Sequence, residues 1–201
     1  MLRLVLLLFA GVTGSLAVDY ELLLEDPDVF SRCTEPQPGA LHFEDLFNKD
    51  DLELDQEAEI IHISGDLTTI WDVQPTDRIS ARFAVMHFER GSWEPTVFSL
   101  ATGDFCSVMF ERDSYWFKQW TSHISNRKEI QEKCLNTRGT TLVHDPFDFR
   151  LNLENITGPT FQGRYKVVCT FEAFDEKNIP RRNSICFEMR GEVKKLKKKV
   201  H

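Results

Sequence analysis

A period of two constrains this chain more than any other feature. Ile61, Ile63, Gly65, Leu67, Thr69 and Trp71 share one face of an extended run, and His62, Ser64, Asp66 and Thr68 share the other. Successive side chains of a strand point to opposite faces, so such a run buries one face and wets the other. After the turn Gln74-Pro75-Thr76-Asp77, Ile79, Ala81, Phe83 and Val85 alternate with Arg78, Ser80, Arg82 and Ala84. A short turn between two such runs predicts an antiparallel hairpin. Phe147, Phe149, Leu151 and Leu153 form a third stripe that ends at the breaker Gly158-Pro159. Phe161, Gly163, Tyr165, Val167, Cys169 and Phe171 form a fourth, opposite Gln162, Arg164, Lys166, Thr170 and Glu172, and a last strand starts at Ser184 and runs to Val193.

The pattern breaks once. Trp116, Trp120 and Ile124 fall at i, i+4 and i+8 between Tyr115 and Cys134, and Asn126 with Glu129 resembles a helix cap, which predicts one or two short helices. No repeat or Gly/Ser linker divides the remainder. The expected fold is all-β: one antiparallel β-sandwich over residues 18–193, with roughly seven or eight strands.

The ends carry different signals. Arg3, the apolar run Leu4 to Ala10 and the small residues around Ser15-Leu16-Ala17 read as a signal peptide over residues 1–17, so the chain is expected to be secreted. That run is shorter than the roughly 20 apolar residues of a spanning helix. The sequon Asn155-Ile156-Thr157 is an expected glycosylation site. The chain carries a net charge of −8, which makes nucleic acid a poor partner. Fourteen acidic residues lie between Val18 and Glu59 against only Arg32 and Lys49, whereas residues 194–201 are lysine-rich. The tail reads as a solvated terminus, with weak adhesion to an anionic membrane surface as the alternative.

Five cysteines allow at most two intrachain bridges. Cys169 lies on the apolar face with Tyr165, Val167 and Phe171, where a free thiol behaves as a small hydrophobe, so it is expected to be unpaired. Cys186 shares its face with Glu188 and Arg190. The pairings expected are Cys106 with Cys134, flanking the helical excursion, and Cys33 with Cys186, while the sequence leaves other pairings open.

No nucleophile elbow, zinc-protease helix, phosphate loop or dinucleotide fingerprint occurs, and the histidines at 42, 62, 87, 123 and 144 have no metal-ligand spacing. Adjacent His144 and Asp145 point to opposite faces of an extended segment. The expectation is therefore no catalytic residue, no metal and no cofactor. What is over-supplied is apolar surface: 16 Phe and 4 Trp. These rings either fill a solid core or line a ligand cavity, with Phe83, Val85, Phe149, Leu151, Tyr165, Val167 and Phe171 as the lining. Trp93, Tyr115, Trp116 and Trp120, in connecting segments, are candidates for a pocket mouth or for a helix packed on the sandwich.

Several blocks carry a family resemblance: Ile70-Trp71-Asp72-Val73-Gln74-Pro75-Thr76-Asp77-Arg78, Ser92-Trp93-Glu94-Pro95-Thr96-Val97-Phe98, Asp104-Phe105-Cys106 and Ser184-Ile185-Cys186-Phe187-Glu188. They resemble the insect chemosensory CheB proteins, which are similar to the ganglioside activator protein and to lipid-recognition β-sandwiches whose sheets part around acyl chains. The resemblance implies a secreted factor that binds a hydrophobic small molecule or lipid in contact-pheromone detection and mating behaviour, with a sensory receptor or a membrane surface as further partner. The alternatives are a lipid-extracting activator of a partner enzyme and a structural secreted module with a filled core.

Overall fold

The structure is a computed structural model that describes residues 17–26, 29–57, 60–150, 152–156 and 161–196. The expected leader (but for its last residue), Leu151, Thr157 of the sequon and the end of the lysine-rich tail lie outside the described residues. The strands are β1 (Val18–Leu24), β2 (Ser31–Arg32), β3 (Ala40–Leu41), β4 (Phe47–Asn48), β5 (Leu52–Glu57), β6 (Ile60–Thr69), β7 (Arg78–Glu89), β8 (Ser92–Thr102), β9 (Thr141–Arg150), β10 (Asn152–Ile156), β11 (Gly163–Phe174) and β12 (Ser184–Lys195). The helices are α1 (Phe43–Leu46), α2 (Phe105–Met109), α3 (Tyr115–Gln119) and α4 (Arg127–Ile130), with a 3-10 turn at Thr121–His123.

Two sheets pack face to face, as expected of a sandwich. The larger has the order β10-β1-β12-β11-β7-β8, with β2 and β3 also paired to β12. In the smaller, β6 is central, with β4 and β5 in succession along one edge and β9 along the other. Most pairs are antiparallel, and the exception is the two-residue contact of β3 with β12. Asn155 falls in β10, at one edge of the larger sheet. β7 turns into β8 through Arg90 and Gly91, both at positive φ, the geometry of a two-residue hairpin turn.

The expected β6–β7 hairpin does not form. β6 pairs with β5 and β9 in the smaller sheet, whereas β7 pairs with β11 and β8 in the larger. The segment between them crosses from one sheet to the other, with Trp71 and Val73 buried in the shared core. An apolar stripe reports which face is buried, and two stripes can meet across a sandwich as readily as along a ladder. The corner is locked by Asp77. Its carboxylate accepts from the Gln74 N–H at 2.9 Å and from the Arg181 guanidinium at 2.9 and 2.7 Å.

β9 also departs from a simple stripe. Phe147 and Phe149 oppose Ile63 and Ile61, but Gly65 opposes His144, so Asp145 and Pro146 together face Ser64. This bulge shifts the inward phase from Leu142 and His144 to Phe147 and Phe149. Gly65 has φ +92°, and a Cβ there would lie 2.0 Å from the Asp51 carbonyl oxygen, so glycine is required.

The helical excursion is more broken than expected. α3 ends at Gln119, and Trp120 and Ile124 fall outside it. Asn126 donates to the Thr141 carbonyl at 2.8 Å and accepts from the Val143 N–H at 3.1 Å, so it ties the excursion to β9 and does not cap α4. Ile124, Ile130 and Leu135 anchor the excursion in the core beside Phe105 and Met109 of α2.

Candidate functional site: an apolar cleft between the sheets

The ladders place Ile79, Ala81, Phe83, Val85, Tyr165, Val167, Cys169, Phe171, Phe187, Met189 and Val193 on one face of the larger sheet. This face is covered unevenly. At the helix-bearing end, Ile79, Ala81, Cys169, Phe171, Ile185 and Phe187 pack with Leu67, Trp71, Phe105, Met109 and Leu142 into a buried cluster. At the other end, Tyr20, Leu22, Phe161, Tyr165 and Val193 form a second cluster. Val167 and Met189 border the first cluster and Val85 the second.

These three side chains point between the sheets yet are only half-buried, as are Ile63, Phe147 and Phe149 on the inward face of the smaller sheet. A close-packed sandwich fully buries the central residues of its inner faces. Here the central residues of the two inner faces are instead half-buried, so the middle of the sandwich is less completely covered than its ends. On the β8 side it reaches solvent: Phe98 and Leu100 are 39% and 42% exposed although Leu100 pairs with inward-facing Phe83. Tyr115, at the start of α3, is 55% exposed. Desolvation, and then the Cys169 thiol, raise the pKa of the Tyr115 phenol above its ordinary value.

The residues expected from the sequence divide accordingly. Val85, Val167 and Phe149 are among the half-buried residues at the middle of the sandwich. Phe83 stands at its helix-side wall, 3.9 Å between ring centroids from Trp116 and 5.6 Å from Phe171. Phe171 belongs to the filled cluster, and Tyr165 is buried in the second one, stacked on His87 at 4.4 Å. Of the expected mouth residues, Tyr115 and Trp116 lie on α3 beside the open edge. Trp120 packs on Phe47 and donates its indole N–H to His144 Nε2 at 2.9 Å. Trp93 sits on the opposite, outward face of the larger sheet, against Phe88 and beneath the Arg164 and Lys166 cations.

Both disulfides pair as expected, Cys33 with Cys186 and Cys106 with Cys134. Cys169 is free and buried, and desolvation raises its thiol pKa strongly. His144 accepts from Trp120 and donates Nδ1–H to the Gly65 carbonyl at 3.1 Å, so it is a neutral, satisfied imidazole. Burial lowers its pKa. Asp145 beside it is exposed and points the other way.

One buried polar group escaped the sequence reading. Lys166 and Glu188 are 3% and 1% exposed, with Lys166 Nζ 3.2 Å from a Glu188 oxygen. The Thr34 hydroxyl donates to Glu188 at 2.8 Å, and Arg190 donates to it at 2.9 Å. Burial works to raise the Glu188 pKa, but the Thr34 N–H and hydroxyl, Arg190 and Lys166 outweigh it and hold the carboxyl below its usual value. The stripe puts both residues on the wet face, and only the return of Cys33 and Thr34 over that face buries them.

Among the described residues, no group of three or more His, Cys, Asp or Glu side chains could hold a metal ion, and no helix is long and apolar enough to cross a membrane. In comparisons with known proteins, no family model matches the chain and no curated protein is significantly similar to it.

Proposed function

We propose that this protein is a secreted carrier that holds a hydrophobic, lipid-like molecule between its two sheets. The observation that carries the reading is the row of half-buried apolar side chains at the centre of the sandwich, Val85, Val167 and Met189 facing the side of Ile63, Phe147 and Phe149. Protein covers these side chains only in part, Phe147 by stacking on His123, and an apolar ligand would cover the remainder. Each methylene moved from water into such a site contributes about 0.8 kcal/mol, so ten would supply roughly 8 kcal/mol before the costs of association. No covalent step is required. The resemblance to CheB proteins supports a place in contact-pheromone detection, and the disulfides fit an oxidising compartment.

The test is native mass spectrometry of protein secreted from insect cells, followed by extraction of whatever co-purifies. A stoichiometric apolar molecule is expected. A protein that emerges empty and takes up no offered long-chain hydrocarbon, fatty acid or ester would overturn the proposal.

A further inference from the structure

The helical excursion carries a second concave feature, separate from the apolar cleft. One cleft of about 380 Å³ is lined by Phe110, Arg112, Phe117, Ser122, Arg127, Lys128 and Gln131. Its lining holds three cations and no carboxylate, on a chain whose net charge is −8. A second cleft of about 510 Å³ is lined by Asp104, Cys106, Ser107, Phe110, Glu111, Gln131 and Glu132, three carboxylates and no cation. Phe110 and Gln131 line both, so the two clefts adjoin, one lined by cations and the other by carboxylates.

The groove is held in shape. The Cys106–Cys134 bridge ties its floor, and Arg127 is oriented by the Ile124 carbonyl at 2.9 Å. Asp104 is partly committed, since it accepts from the Ser107 N–H at 3.1 Å. Arg112, Lys128, Glu111 and Glu132 are exposed, and neither Arg112 nor Lys128 makes an ion pair among the described residues. A simple anion would gain from one cleft and be repelled by the other. A phosphate joined through a short spacer to an ammonium offers a complementary charge to each cleft, and the half-buried Phe110 ring that lines both suits an ammonium.

We propose that this groove binds a zwitterionic phosphoester of the phosphocholine or phosphoethanolamine type. Such a group occurs free or as a lipid headgroup. Trp116 of α3 packs against Phe83 at the apolar cleft while the next residue, Phe117, lines the groove, so the two sites share α3 as a wall.

Isothermal titration of the secreted protein with phosphocholine, inorganic phosphate, choline and dihexanoylphosphatidylcholine below its micelle concentration tests the assignment. Phosphocholine is expected to bind at least tenfold more tightly than phosphate or choline at equal ionic strength. The exposed pair Arg112→Glu/Lys128→Glu should weaken it at least tenfold with an unchanged circular dichroism spectrum, and Glu111→Gln/Glu132→Gln should narrow its advantage over phosphate. Tighter binding of the short-chain lipid than of phosphocholine assigns the headgroup as source, and equal binding assigns the free ester; either outcome supports the site. Equal affinity for phosphate and phosphocholine, no binding of phosphocholine, or an affinity unmoved by the charge reversal would overturn it. Phosphocholine has no chain, so its failure would leave the apolar carrier standing, and that reading fails separately with an uncharged long-chain ligand.

Discussion

Val85 and Val167 oppose each other on β7 and β11 and point into the middle of the sandwich, so replacing both with phenylalanine separates a cleft from a filled core. In a close-packed interior each insertion forces off-rotamer side chains and costs about 1–3 kcal/mol, or roughly 2–6 kcal/mol for the pair. For a domain of this size that lowers Tm by roughly 4–24 °C. Both valines are half-buried, so the added rings have space to enter and displace solvent. Stability should then stay within about 1 kcal/mol of the parent, the range of two substitutions at partly solvated positions. Uptake of a long-chain fluorescent probe should be lost, because the rings occupy the volume its chain needs. Urea denaturation and probe titration on the same preparation give both readouts. A variant that loses several kcal/mol shows that the middle is already full. A stable variant with unchanged uptake shows that the ligand sits elsewhere.

Two further outcomes follow from buried polar groups. Glu188→Ala leaves the Lys166 ammonium buried with Thr34 and the Trp93 ring as its remaining partners, and should cost about 3–5 kcal/mol in urea denaturation, whereas Lys166→Met/Glu188→Leu should recover most of that loss; equal losses in both variants would show that packing, not charge, is at stake. The lowered His144 pKa means that the unfolded chain takes up a proton before the folded one does, so its contribution to stability is present above about pH 6.5 and fades as pH falls through the lower folded value. His144→Gln should flatten this acid slope in pH-dependent denaturation, and an unchanged slope would place the sensitivity in other groups.

The sequence discloses faces well and partners poorly. Alternation identified the inward residues of β6, β7 and β11 because one buried face per strand is what a sandwich requires. It misjudged the β6–β7 connection because it carries no information on whether two stripes meet along a ladder or across the core. The direction of Cys186, on the face with Glu188 and Arg190, sets it apart from the inward Cys169 and leaves it open to a bridge, and Cys33 pairs with it. The same logic missed Lys166, since its burial depends on residues 31–34 folding back from more than a hundred positions away. Phe171 and Val167 share one strand face, yet one is buried in a filled cluster and the other is half-buried at its border. That difference depends on how closely the sheets approach, and periodicity does not encode distance.

A sandwich that leaves its centre half-covered forgoes part of its hydrophobic stabilisation, and this chain places restraints at the periphery. In the chain-entropy account, closing the 153-residue separation of Cys33–Cys186 stabilises by about 5 kcal/mol and the 28-residue separation of Cys106–Cys134 by about 4 kcal/mol. The Asp77–Arg181 corner, the covered Lys166–Glu188 pair and both bridges hold the outer face, the inter-sheet crossing and the helical excursion, and none has a side chain among those bordering the cleft. Stability and the proposed ligand space are thereby assigned to different residues. The arrangement suits a carrier, whose interior must fill and empty without the fold melting. It also explains why the substitutions that damage stability most should be those at Glu188 and the disulfides, whereas those that abolish uptake should be at Val85, Val167 and Phe149.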